Sequence, residues 1–316
     1  GRQDLTDWQD ELFRVGNKQD YNLGINGGNE NTIYSLGISY QKDQGVVDRN
    51  KAVRYNMRSN IETKLFDDKV KIGASMNYTI REVQGATQGF VWSSHLIEGA
   101  SMPTNIPAYT EDGRPYSEGD QTKIDFYKPG RPYGNRVVAN NDVTNPQTRM
   151  NAGAFVEIQL IDGLKFKSSL GINNNSNFSR AYRSQTMDMA DAEAALTVVS
   201  NRNLGYSWDN TLTYDKKFGV HSLNVLLGTN IGANSSNGIT VKATGFPDGD
   251  PEALRYMEFS DIYDKPLERA GDSRSSAYFG RLNYNLMDKY LLTATVRRDG
   301  TARFHEDVRW GTFPSF

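Results

Sequence analysis

The stretch Val70-Lys71-Ile72-Gly73-Ala74-Ser75-Met76-Asn77-Tyr78-Thr79-Ile80 alternates an apolar residue with a polar or small one over its whole length. Successive side chains of an extended strand point to opposite faces. Val70, Ile72, Ala74, Met76, Tyr78 and Ile80 therefore share one face, and Lys71, Gly73, Ser75, Asn77 and Thr79 share the other. A helix, with its period of about 3.6, would scatter both sets around its circumference.

The same period recurs from Tyr34 to Gln41, Met150 to Leu160, Leu164 to Ile172, Leu223 to Ile231, Tyr278 to Leu286 and Tyr290 to Arg297. The runs are about 9 to 12 residues long, the length that crosses a bilayer at a tilt. A soluble sandwich also alternates, so the connections have to decide. Short turns are predicted at Asp67-Asp68, Asp162-Gly163, Lys216-Lys217-Phe218-Gly219 and Met287-Asp288. Between them stand long polar connections, Gln84 to Thr148, Asn174 to Arg202, Asn234 to Ser273 and Arg298 to Val308. Alternating short and long connections are the pattern of an up-and-down barrel with tight periplasmic turns and long extracellular loops. About ten strands are predicted, beginning near Tyr21, with an eleventh opening at Trp310. So few strands leave two unpaired edges. The expectation is an incomplete all-β, antiparallel transmembrane barrel whose remaining strands lie beyond one or both ends.

Composition agrees with that reading. Hydrophobic residues are 37%, charged residues 23%, and 17 tyrosines help bring aromatics to 11%, with a mean hydropathy of -0.65. Disordered chains are equally polar but poor in aromatics. A barrel that shows lipid only every second residue is polar on average and gathers aromatics at the two membrane interfaces. Tyr34, Tyr40, Tyr78, Tyr284 and Tyr290 are read as such lipid-facing or girdle residues. No apolar run approaches the roughly 18 residues of a transmembrane helix. Gly1-Arg2-Gln3-Asp4 is not a signal peptide, so the sequence is expected to start inside a mature chain. With no cysteine, disulfides, thiolate metal sites and thiol nucleophiles are excluded. A net charge of -2 gives no nucleic-acid signature.

Particular segments resemble the SusC/RagA family of TonB-linked outer-membrane proteins. Thr6-Asp7-Trp8-Gln9-Asp10-Glu11-Leu12-Phe13-Arg14 is similar to the family's lead into early barrel strands, followed by Tyr21-Asn22-Leu23-Gly24-Ile25-Asn26-Gly27-Gly28 and Tyr34-Ser35-Leu36-Gly37-Ile38-Ser39-Tyr40. Near the other end, Tyr278-Phe279-Gly280-Arg281, Asp288 to Gly300, Arg303-Phe304 and Arg309-Trp310-Gly311-Thr312-Phe313-Pro314-Ser315 resemble it closely. The resemblance implies a 22-stranded barrel with a plugged lumen, in the outer membrane of a Gram-negative cell. It implies import of glycan oligomers or peptides, driven through the TonB-ExbB-ExbD complex, with a SusD-like lipoprotein as a lid over the extracellular mouth. Residues 1–316 would be part of the barrel domain, without the plug, the TonB box or the closing strands. Two readings of the residues stay open beside it: a passive porin, and a soluble all-β carbohydrate-binding or adhesin module.

Few residues suggest chemistry, and neither catalysis nor a cofactor is expected. Ser93, Ser94, His95 and Glu98 are neighbours in sequence, whereas a triad is assembled by convergence in space. His95, His221 and His305 are too scattered for a histidine metal site. Pro247-Asp248-Gly249-Asp250-Pro251 and Glu111-Asp112-Gly113 lack the spacing of a calcium loop and read as turns. Substrate contact is assigned to loop aromatics Trp92, Tyr109, Tyr116, Tyr127 and Tyr133, whose rings can stack on sugar C–H faces or pack the loop on itself. Structural roles go to the family-like residues Asp7, Trp8, Arg297, Arg298, Asp299, Gly300, Arg303, Phe304, Trp310 and Gly311. Alternation places Arg297 on the lumen side, away from lipid, with Asp299 as a partner.

Overall fold

A computed structural model describes residues 5–48, 50–85, 103–109, 111, 113, 143–183, 194–247 and 256–316. Among them the chain forms one antiparallel sheet. A short helix α1 (Trp8–Leu12) precedes β1 (Asn17–Gly28), β2 (Thr32–Gln44), β3 (Lys51–Leu65) and β4 (Val70–Gly85). Then come β5 (Val143–Thr144), β6 (Gln147–Ile161), β7 (Leu164–Arg183), β8 (Ala195–Phe218) and β9 (His221–Thr244). The last are β10 (Ile262–Tyr263), β11 (Leu267–Leu286), β12 (Tyr290–Thr301) and β13 (Trp310–Ser315). Order along the sheet follows the sequence: β5 and β6 both lie between β4 and β7, and β10 is a short addition to β9. Ten long strands and the short β13 therefore make the up-and-down wall that the alternation predicts.

The predicted short turns all close hairpins at one end of the wall. Phe66, Asp67 and Asp68 have φ of 55°, 53° and 64°, and Met287 and Asp288 58° and 53°, a left-handed region that aspartate tolerates better than most residues. Gly163 is required where it stands. Its φ is +79°, and a Cβ there would lie 2.2 Å from the Asp215 carbonyl oxygen.

The other end corrects the sequence reading. Most of Asn174 to Arg202 is not loop: β7 and β8 stay paired from Leu164↔Tyr214 up to Arg183↔Ala195. β9 likewise continues to Thr244 and β11 begins at Leu267, so both ends of Asn234 to Ser273 are strand, and β12 runs past Arg298 to Thr301. A strand of 24 residues such as β8, at about 3.4 Å per residue and about 40° of tilt, rises about 60 Å, more than twice an apolar band about 25 Å tall. These strands stand well clear of the membrane. Above it water wets both faces, apolar alternation has no cause, and Asn173-Asn174-Asn175-Ser176-Asn177 looks like loop while forming ladder bonds in β7.

Among the described residues two small cores form at this loop end. Trp8 and Leu12 of α1 are buried. Asp7 caps the helix, its side chain accepting from the Gln9 and Asp10 N–H groups. Trp8 Nε1 donates to the Pro103 carbonyl at 3.0 Å, Thr6 donates to the carbonyls of Thr104 and Ile106, and Arg14 pairs with Asp48 at 2.9 Å. The N-terminal segment thus ties the β2–β3 connection to residues 103–109. On the tall hairpins, Tyr182, Ala194 and Leu196 pack with Val198, Phe246 and Met257, with Tyr182 edge-on to Phe246.

Candidate functional site

The register sorts the wall into two faces. The outer one carries Tyr21, Leu23, Ile38, Tyr40, Tyr55, Met57, Tyr78 and Ile80 on β1–β4 and Phe166, Leu212, Leu227, Leu282 and Val296 farther on. All five tyrosines read as girdle residues face outward. Tyr34, Tyr284 and Tyr290 stand near the turn end and Tyr40 and Tyr78 higher. His221 shares the turn-end rim, its Nδ1 2.6 Å from the Tyr284 hydroxyl.

The inner face is built of amides, arginines and small residues. Asn173 donates to Asn151 at 2.6 Å, Asn56 to Asn77 at 2.6 Å and Thr79 at 2.8 Å, and Asn230 to Asp209 at 2.7 Å. A relay crosses four strands from Thr293 to Asn283 to Asn224 to Asp215. Each amide offers both donors and acceptors, so the wall can exchange bonds with hydroxyls or with peptide groups.

Among the described residues, hollows lie on this face at two places. The larger, about 700 Å³, is floored by Gly171, Gly205, Ser207, Gly232 and Ser275 and overhung by Arg303 and Phe304. Its depth comes from a row of small residues in register across adjacent strands: Ser75, Gly153, Gly171, Ser207, Gly232 and Ser275. The second, about 530 Å³, is lined by Arg54, Arg58, Arg81 and Arg149 among asparagines, with Asp20 as its carboxylate. Arg54 stands directly opposite Arg81, and like charges so placed repel.

Of the residues expected from sequence, Arg303 and Phe304 come together with the small-residue row. Arg297 is on the inner face, donating to both Asp299 oxygens at 2.8 and 2.9 Å and lying over the Phe279 ring. Arg298 is on the outer face with Trp310. Gly300 lies under Trp310, whose ring carbons are 2.8 Å from where a Cβ would sit, and Gly311 is packed by the Phe313 ring. Tyr109 is 3.4 Å from Glu11, beside α1. Trp92, Tyr116, Tyr127 and Tyr133 lie outside the described residues, as do His95, Asp112 and residues 248–251. Among the described residues no three histidine, cysteine or acidic side chains gather as a metal site. Sequence reasoning did not single out the small-residue row or the four arginines. Each stands at an inward-facing position of β3, β4, β6–β9 or β11, but it takes the register to align them.

No family model matches the chain. It is 28% identical over 328 residues to the TonB-dependent receptor SusC of Bacteroides thetaiotaomicron, covering 98% of this chain and 32% of SusC. It is 25% identical over 316 residues to a TonB-dependent receptor of Formosa agariphila, covering 98% and 31%. The RagAB peptide importer in its open-open state superposes with a TM-score of 0.78 at 21% identity, over 98% of this chain and 34% of that one. The chain thus has the barrel fold of the RagAB importer and is similar in sequence to SusC over nearly all of its length. It spans about a third of the length of the curated relatives it matches. Its fold is that of outer-membrane barrels, in which an apolar outer face meets lipid and a polar face lines the lumen. The relatives are receptors and transporters rather than enzymes.

Proposed function

We propose that this chain forms part of the barrel wall of an active outer-membrane importer of glycan oligomers or peptides. The observation that carries the reading is end-to-end similarity, 98% of the chain, to SusC, together with the same extent of structural match to RagAB. Energy would come from the TonB-ExbB-ExbD complex, and a SusD-like lipoprotein would close the mouth. The tall β7–β9 hairpins and α1 offer a raised rim on which such a lid can rest. Further strands would pair with the free edges of β1 and β13, and a plug and TonB box would lie elsewhere in the full-length protein.

Within the barrel, the amide ladder suits neutral polar cargo, because Asn donates and accepts with equal ease toward sugar hydroxyls and peptide groups. Trp92, Tyr109, Tyr116, Tyr127 and Tyr133 are proposed to stack on substrate at the mouth. The test is growth of a strain deleted for the full-length gene on purified polysaccharides and peptides as sole nutrients. Loss on one nutrient, restored by the intact gene but not by a version lacking its TonB box, supports energised import and names the substrate. Unchanged growth on every nutrient refutes it.

A further inference from the structure

The inner face of β3, β4 and β6 carries more positive charge than the fold uses. Arg54, Arg58, Arg81 and Arg149 line the hollow of about 530 Å³, with Asp20 the one carboxylate among the lining residues. Asp20 already accepts a hydrogen bond from Asn22 at 2.6 Å. Among the described residues none of the four arginines forms an ion pair. Arg54 faces Arg81 across the β3–β4 ladder. Arg149 pairs with Thr79, which makes it the diagonal neighbour of Arg81. Directly opposite Cβ atoms are about 5 Å apart and diagonal ones about 7 Å, so like charges placed this way cost stability. A local choice that works against the fold marks a place where function is served instead.

Height narrows that function. Arg58 is seven residues from the turn-end Leu65, and Arg54 and Arg81 are each eleven from Leu65 and Val70. At about 3.4 Å per residue and about 40° of tilt they stand about 18 Å and about 29 Å up the normal. An apolar band about 25 Å tall ends between them. The hollow is therefore on the lumen side at the level of the loop-side mouth, where a cargo arriving from outside first meets the wall.

The lining names the chemistry. Arg54, Arg81 and Arg149 are close enough for their guanidiniums to share one anionic group. Arg58 stands about 14 Å from Arg54 along β3, so an oligomer, rather than a lone anion, reaches all four. The planar fork of a guanidinium matches the oxygens of a carboxylate or a sulfate. A cleft lined by one sign of charge also concentrates ligands of the other sign. Every residue lining the hollow is polar. A peptide of mixed sequence would find no apolar partner there, whereas a glycan presents only hydroxyls and its acidic substituents. The amides beside the arginines, such as Asn56 and Asn77, can take the hydroxyls.

We propose that this hollow is a capture site for acidic glycan oligomers, whose uronate carboxylates or sulfate esters sit on Arg54, Arg81, Arg149 and Arg58. It rests on the import reading above and names the cargo: the amide ladder takes its uncharged hydroxyls and the arginines its charged groups.

The test is calorimetric titration of the full-length receptor in neutral detergent. The probes are oligogalacturonate and its methyl ester, a carrageenan oligosaccharide and its desulfated counterpart, and oligoglutamate. At least one acidic glycan is expected to bind about ten-fold more tightly than its uncharged counterpart, the worth of one charge-assisted hydrogen bond, with salt eroding the difference. Arg54→Gln and Arg81→Gln should each reduce that preference, and the inner-face change Arg281→Gln, outside the hollow, should not. Because Arg54→Gln relieves a like-charge pair, its denaturation midpoint should stay or rise. A lowered midpoint would show that Arg54 is held by a carboxylate elsewhere in the protein and would overturn the proposal. So would equal binding of acidic and uncharged glycans, binding of neither acidic glycan, or undiminished preference in both variants. Tighter binding of oligoglutamate than of either acidic glycan would make the cargo an acidic peptide and overturn the glycan assignment. Titration in detergent needs no energy source, so failure here strikes the acidic cargo alone, while the growth test with the TonB-box deletion judges import.

Discussion

Val225→Arg is the sharpest test of which face meets lipid. Val225 is on the outer face of β9, between Tyr214 of β8 and Leu282 of β11. It lies about 14 Å along the strand from the turn-end His221, hence about 10 Å up the normal, near the middle of a band about 25 Å tall. An arginine at that depth costs about 2–4 kcal/mol, which lowers the folding equilibrium constant by roughly 30- to 1,000-fold. Thr213, a near neighbour on β8, points to the lumen. Thr213→Arg meets water and should cost less than about 1 kcal/mol. The assay is chemical denaturation of the full-length receptor refolded into lipid vesicles, with the three proteins compared at one lipid composition. If Val225→Arg unfolds at the same denaturant concentration as Thr213→Arg, the outer face is not in hydrocarbon and the assignment of faces is wrong.

Three further outcomes are expected. Gly163→Ala forces a side chain into φ +79° and toward the Asp215 carbonyl 2.2 Å away, so it should destabilise by more than about 1 kcal/mol in the same titration, whereas Gly113→Ala, which meets nothing within 4 Å, carries only the cost of its positive φ. Trp8→Ala removes a buried indole and its bond to Pro103, a loss of about 3–5 kcal/mol to that local core; limited proteolysis should then cut near residues 5–14 while the barrel strands stay protected. Asp162, in the β6–β7 turn, accepts a hydrogen bond from Lys216, and this bond and the attached charge hold its carboxyl below the ordinary aspartate value. A depressed folded-state value means that the contact's contribution is present above the unfolded pKa and is lost as pH falls through the folded one. Carboxyl carbon NMR should show the midpoint rising in Lys216→Gln; an unmoved midpoint would dismiss the contact.

Sequence alone determined the fold class, the direction of each hairpin and the sorting of side chains onto two faces, because lipid on one side and lumen on the other impose a period of two that needs no partner to be seen. Val70 to Ile80 and Leu223 to Ile231 show it in isolation, and the turns at Asp67-Asp68 and Met287-Asp288 carry their own backbone chemistry. Where that asymmetry ends, the reading ended with it. Asn174 to Arg183 and Ala195 to Arg202 are strand because they pair along β7 and β8 and with the flanking β5, β6 and β9, a fact of pairing that polar sequence does not announce. The inner hollows depended on tertiary structure for a related reason. Gly171, Ser207, Gly232 and Ser275 are distant in sequence and unremarked singly, and only the register sets them side by side as a floor. Arg297 and Arg298 show the division most closely: alternation sends them to opposite faces, but only packing against Asp299 in one case and Trp310 in the other decides what each charge meets.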